Sequence, residues 1–381
     1  MDNLTHSLTG LVIAKAGMER FSPAATVVCV IAANAPDFDL FVLLTSGRWA
    51  YLQHHRGITH SIPGVLLLAI LIPTLFYAAE FVVAHFWKRA RRIRFGWLLL
   101  ASLIATATHP LMDWTNNYGI RLLLPWSAKW FYGDLVFIVD PLIWIILGGT
   151  AFLLTSRSKM QMAFWAVLAL ALILLVFLLG SQPEAIHLGV FRFVWLGTMA
   201  AFFLARRYRF GQCVPNALAL TALGLVVAYW SALGLAHRRA YAQADRIANE
   251  EATKRSEKLM RVAAMPRLAD PFHWQCISET EGATYRFEVS LAGPSPSPNE
   301  LERFAKPNPN ELRAIEAASQ DARARVFLGF ARFPGAQVKD LDCVSQTVVQ
   351  FADLRYTEPG GARRGTFALD VPIACPEAKE K

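Results

Sequence analysis

Charge is scarce in this sequence. Asp, Glu, Lys and Arg supply 18% of its 381 residues, and apolar residues supply 54%. An ordinary soluble domain carries about a quarter charged residues, so the chain is too apolar for one and its composition suggests a polytopic membrane protein. Cysteine is scarce too. There are five, with no Cys-x-x-Cys or zinc-finger spacing, which excludes a thiolate zinc module. Cys29 and Cys213 lie in or beside apolar runs. Cys276, Cys343 and Cys375 fall in the C-terminal region, where one disulfide can form in an oxidising compartment. The opening MDNLTHSLTG lacks the basic stretch of a cleavable signal peptide, so its residues are expected in the mature protein. Acidic residues are outnumbered, for a net charge of +9. The Lys and Arg sit in short loops between apolar runs. That pattern sets membrane orientation and argues against a nucleic-acid partner.

What is present is apolar length. A spanning helix needs about 20 apolar residues. Residues 62–86, 137–155, 161–180, 188–205 and 217–236 supply such runs, 96–110 is shorter but strongly apolar, and 4–17 and 23–36 form a shorter hairpin around MERFS. The expected fold class is an all-α polytopic membrane domain of six to eight helices, followed by a small α+β soluble domain. The expected boundaries are 1–236 for the membrane domain, 237–265 for a helical connector and 266–381 for the soluble part. The basic loops WKRARRIRF, SRSK and RRYR alternate with loops at 37–61, 111–136 and 181–187 that are poor in Lys and Arg. With basic loops inside, the chain is a multi-pass protein of a bacterial inner membrane. Its C-terminal domain then lies on the outer, periplasmic side. HRR at 237–239 opposes that orientation.

Four stretches carry the chemistry. THSLTG places His6 at the mouth of the first helix, where the plainer reading is an N-cap with an incidental histidine. NAPDFDL places Asp37 and Asp39 after an apolar helix ended by Pro36. They are either turn residues or paired oxygen ligands. HHRGITHS places His54, His55 and His60 within seven residues, with Gly57 free to turn. Three imidazoles there favour a metal over a solvated loop. THPLMDW places His109 and Asp113 four apart, on one face if helical, although Pro110 suits a first turn or a kink. In the orientation above, and if 4–17 and 23–36 also cross, all four stretches meet at one membrane face. Asp134 and Asp140 follow as weaker candidates. Mixed His and Asp ligands suit zinc, manganese or iron, and their number allows one to three divalent ions. His85, His187, His237 and His273 are expected to be structural.

MDNLTHSLTG, APDFD, HHRGITHS and HPLMDWTNNYG, in that order, resemble the YdjM-type family of membrane-bound, metal-dependent hydrolases. That family is also described as LexA-binding and inner-membrane-associated, and is similar to zinc-dependent phospholipase C. The resemblance covers roughly residues 1–150, and YGDLVFIVDPLIW fits it as well. It implies that His6, Asp37, Asp39, His55, His60, His109 and Asp113 are ligands or lie next to ligands. The LexA label does not transfer, since no surface here suits a repressor.

The expected function is hydrolysis of a phosphoester or other ester of a lipid-like substrate at the outer membrane–water interface. Metal-activated water would attack, with Asp39 or Asp113 as catalytic base. Arg56 or Arg121 would hold an anionic headgroup. His54 would be a third ligand or a donor to one, and Asp134 and Asp140 would support. The expected partners are the bilayer and that substrate. Two rival classes are a metal or proton transporter, which calls for ionisable groups at mid-membrane, and a membrane protein whose metal is structural. The C-terminal region shows strand-like segments, FHWQCISE and ATYRFEVSLA among them, and reads as an accessory domain.

Overall fold

The computed structural model describes residues 1–179, 188–210, 214–268, 270–293, 300–339, 346–361 and 367–374. The loop at 181–187, His187, Cys213, Cys343 and Cys375 lie outside them. The chain divides into two compact units. The first comprises residues 1–37, 58–132 and 137–232. The second comprises 38–57, 133–136 and 233–381. The longest segment of the second unit begins at Leu233.

The first unit is helical. α1 (Asn3–Lys15) and α2 (Ala25–Asn34) form the expected hairpin. Each is shorter than the about 17–25 residues a crossing helix needs. α4 (Ile62–Phe86) and α5 (Phe95–Trp114) follow, after α3 (Phe41–His54) of the second unit. The hairpin packs on α5, and α5 on α4. Their shared core is built from small residues: Ala14, Ala25, Cys29, Ala32, Ala33, Ala101 and Ala105. Small side chains let helix backbones approach closely where lipid supplies no hydrophobic drive. Gly10 marks the tightest approach. A Cβ there would lie 2.5 Å from the Cys29 carbonyl oxygen. Gly10→Ala must therefore part α1 from α2. We expect a loss of about 1–3 kcal/mol, seen as a lower melting temperature in detergent. An unchanged melting temperature would show that the hairpin is looser than this.

Downstream come α6 (Pro141–Ile143), a π-helical turn Trp144–Gly148, α7 (Gly149–Thr155), α8 (Lys159–Leu179), α9 (Leu188–Arg207) and α10 (Pro215–Lys254). Among the described residues, four helices are long and apolar enough to cross a membrane: Ala25–His54 taken together, Ile62–Phe86, Phe95–Trp114 and Pro215–Lys254. Pro141–Thr155 and Lys159–Leu175 are shorter apolar helices. Exposed Leu66, Leu67, Ile70, Leu71 and Leu75 cover the outer face of α4, as a lipid-facing helix requires.

In the second unit, β1 (Leu259–Arg267), β2 (Asp270–Thr280), β3 (Ala283–Ser290) and β4 (Glu302–Ala305) form one antiparallel sheet in that order. α11 (Pro309–Ser319) and α12 (Ala322–Phe330) lead to a second antiparallel sheet. It consists of β5 (Pro334–Lys339), β6 (Gln346–Asp353) and β7 (Ala368–Ala374). The connector expected to be helical over 237–265 is helical only to Lys254. Its end becomes β1, because Ala263, Ala264 and Met265 bury against β2 and the rest of the domain core. Ala263, Met265 and Ile277 of the first sheet meet Phe333 and Leu354 in one cluster. Cys276 is a buried free thiol, and burial pushes its pKa well above the usual range.

Candidate metal centre

The first unit gathers two histidines and two aspartates at one buried point. Asp37 stands in the 3-10 turn Ala35–Leu40 that ends α2. His60 closes a second 3-10 turn, Ile58–His60, just ahead of α4, whose N-cap is Ser61. His109 and Asp113 come from the last turns of α5, which continues through Pro110. Their four-residue spacing therefore does put both on one face, with His109 Nε2 3.6 Å from Asp113 Oδ2.

The donor atoms are closely matched. His60 Nε2 lies 3.4 Å from Asp37 Oδ1 and 3.2 Å from Asp113 Oδ2. His109 Nε2 lies 3.5 Å from Asp37 Oδ1 and 3.1 Å from His60 Nε2. All four residues offer one donor atom within 4.8 Å of the others. Donors about 2.0–2.1 Å from a tetrahedral zinc lie roughly 3.3–3.4 Å apart, so these edges fit one ion. The protonation pattern fits as well. His109 Nδ1 is 2.6 Å from the Ala33 carbonyl oxygen. A carbonyl can only accept, so Nδ1 carries the proton and Nε2 keeps its lone pair toward the cluster. Metal-binding histidines are commonly held by such a bond. Two carboxylates and two imidazoles converging on a largely buried point call for a cation.

His6 stands beside the four and not among them. Its ring stacks on His109 at 3.7 Å between centroids, and its Nε2 is 3.4 Å from Asp113 Oδ1. The Met1 amino group also contacts that oxygen.

In the second unit, Asp39 and His55 form a pair. Asp39 Oδ1 is 2.9 Å from His55 Nδ1, and Oδ2 accepts the Arg56 backbone N–H at 2.9 Å. The His55 ring stacks on Tyr51. His54 is exposed at the end of α3. Asp134 is buried with φ of 53° and is held by both oxygens to Arg332 Nη1, at 2.9 and 2.8 Å. The sequence carried no sign of that partner, which lies 198 residues away.

The remaining candidates belong to the first unit. Arg121 lies over the Trp130 ring at 4.7 Å. Asp140 caps the helix that starts at Pro141, accepting N–H bonds from Leu142 and Ile143 and an O–H bond from Tyr229. Its partners are thus backbone amides and a phenol.

Comparison with known proteins places the N-terminal region. The chain is similar to the uncharacterized protein YfhP of Bacillus subtilis (strain 168), at 32% identity over 159 residues. The match covers 38% of this chain and 43% of that protein, so the chain spans under half the length of this relative. No solved structure matches. The four motif stretches all lie within the region that a family model matches: residues 1–183 match the family described as YdjM inner membrane protein.

Proposed function

We propose that this protein is a membrane-bound, metal-dependent hydrolase acting on a phosphoester or other ester of a lipid-like substrate. The observation that carries this reading is the convergence of Asp37, His60, His109 and Asp113, with His–His and His–Asp donor separations of 3.1–3.6 Å. These residues would hold a divalent ion, zinc first and manganese or iron next. When bound, such an ion polarises an ester oxygen and eases deprotonation of water. Asp113 is the acid–base group, because its Oδ1 faces His6 while Oδ2 faces the other donors. Arg121, held over Trp130, supplies the cation for an anionic headgroup. In this reading the centre lies on the outer face of the inner membrane, where headgroups are found. The charge pattern of the loops supports that face, and the family's description supports the inner membrane alone.

The same geometry favours a second reading. Four protein donors fill a tetrahedral ion, as in structural sites. One experiment separates the two. The protein is purified in detergent, stripped with a chelator, reloaded with zinc or manganese and tested on a panel of phospholipids and carboxylic ester lipids. Hydrolysis that appears only on reloading is the expected result. Stoichiometric metal with no hydrolysis of any member would leave the structural reading.

A further inference from the structure

The first unit contains an apolar cavity of about 140 Å³. Its walls include Leu8 of α1, Trp144 of the π-helical turn, Phe152 of α7, Trp165 of α8, and Trp195 and Phe202 of α9. The indole N–H groups of two of these tryptophans are satisfied away from it. Trp144 Nε1 donates to Thr5 Oγ1 at 3.0 Å, and Trp165 Nε1 donates to Thr155 Oγ1 at 2.9 Å. Those rings offer the space carbon and little else. An apolar cavity of roughly 150 Å³ stays dry and accepts a benzene-sized guest. The backbone is shaped for it as well. A π-helical turn inside a helix widens it and recurs at functional sites. Gly149 follows that turn, and a Cβ there would lie 2.0 Å from the Phe202 ring, so Phe202 rests against bare backbone.

The surroundings identify the guest. α8 and α9 expose Phe164, Val167, Leu170, Phe193 and Val194, the surface of helices that face hydrocarbon. The molecules that reach a cavity between such helices are alkyl chains. α1 then connects the cavity to the chemistry. Leu8 lines the cavity, Thr5 bonds Trp144, and His6 between them stacks on His109 of the metal cluster.

We propose that this cavity binds the end of one alkyl chain of a lipid-like molecule, and that α1 thereby sets that molecule's head near the cluster. The second half rests on the hydrolase reading, while the first stands without it.

The test uses the full-length protein in detergent and palmitic acid carrying a diazirine near its methyl end. Light-induced labelling is mapped by mass spectrometry. The expected labels fall on Trp165, Trp195 and Met199. Ala169→Trp fills the space from a lining position. Excluding roughly two methylenes lowers labelling there about tenfold. Leu170→Trp, on the exposed side of the same helix, leaves it unchanged. Ala166→Leu, a smaller filling, serves if Ala169→Trp does not fold, and metal content checks every variant. Labels spread evenly over the exposed faces, or untouched by filling, would overturn the proposal. The two readings fail separately. Cavity labelling without hydrolysis of any ester sinks the hydrolase and keeps the cavity. Hydrolysis with labelling indifferent to filling does the reverse.

Discussion

His109→Ala is expected to lower metal affinity by more than about a hundredfold, beyond the range seen when only a supporting group is removed. The argument rests on the ring's two nitrogens. Nδ1 is committed to the Ala33 carbonyl at 2.6 Å, which orients the ring and leaves Nε2 to the cluster. Alanine removes a donor and its support together. What stays is one imidazole and two carboxylates. His6→Ala makes the contrast, because His6 touches Asp113 Oδ1 and the His109 face but stands outside the four-donor set. Its loss is expected to weaken binding by about 10–100-fold, the effect of a supporting contact. Chelator competition followed by elemental analysis measures both. A second readout is thermal. An ion at about 100 times its dissociation constant adds about 2.7 kcal/mol of stability, so chelation lowers the melting temperature of the native protein and leaves that of His109→Ala nearly unmoved. If His109→Ala retains metal like the native chain, the cluster is a hydrogen-bonded His–Asp network with no ion, and the hydrolase reading goes with it.

The pieces of this centre were readable because each sits in a local pattern. His109 and Asp113 share a face by helical period alone. Asp37 follows an apolar helix, and His60 precedes one, so both fall at helix ends that the hydropathy pattern reveals. The contact between Asp39 and His55 was not readable. It depends on backbone turns of one or two residues, with Arg56 at a positive φ beside it. Asp140 shows a similar limit. An acid before Pro141 at the edge of an apolar run invites a functional reading, yet it caps a helix and meets Tyr229 from 89 positions away. In the fold, apolar length announced α4 to the residue and the start of α5 to within one, but not the last turn of α5 through Trp114. The same criterion could not separate the end of a helical connector from β1. Strand identity there comes from pairing with β2, which no local period encodes.

Asp353→Ala is expected to cost the second unit about 3–5 kcal/mol, the penalty for leaving one partner of a buried ion pair alone. That is a large part of the about 5–15 kcal/mol that holds a typical domain together. Asp353 and Arg355 side chains are both 0% exposed, and the guanidinium reaches Asp353 Oδ2 through Nη2 at 2.6 Å and Nε at 3.0 Å. The carboxylate does more than neutralise. It accepts the backbone N–H of Arg332 at 3.3 Å and that of Arg355 at 3.2 Å, tying the end of β6 to the residues after α12. Arg355 in turn lies over the rings of Phe330 and Tyr356. Alanine leaves a guanidinium in this box without the carboxylate that neutralises it, while Nη2 keeps the long 3.4 Å contact to the Phe330 carbonyl oxygen. Asparagine at the same position keeps an oxygen for the backbone amides and removes the charge, so Asp353→Asn is expected to fall between alanine and native. Urea unfolding followed by the fluorescence of Trp274, which is buried in this unit, orders the three proteins. A loss below about 1 kcal/mol for alanine would mean that water enters to solvate Arg355, and that packing between the sheets carries this region without the ion pair. A loss in the expected range would make Asp353 the hinge of a longer chain of contacts. Arg332, whose amide Asp353 fixes, is the residue that grips Asp134 at its strained φ, so the same substitution should loosen residues 133–136 before the sheets themselves unfold. Hydrogen exchange at 133–136, compared between Asp353→Ala and native protein under native conditions, reads that order directly.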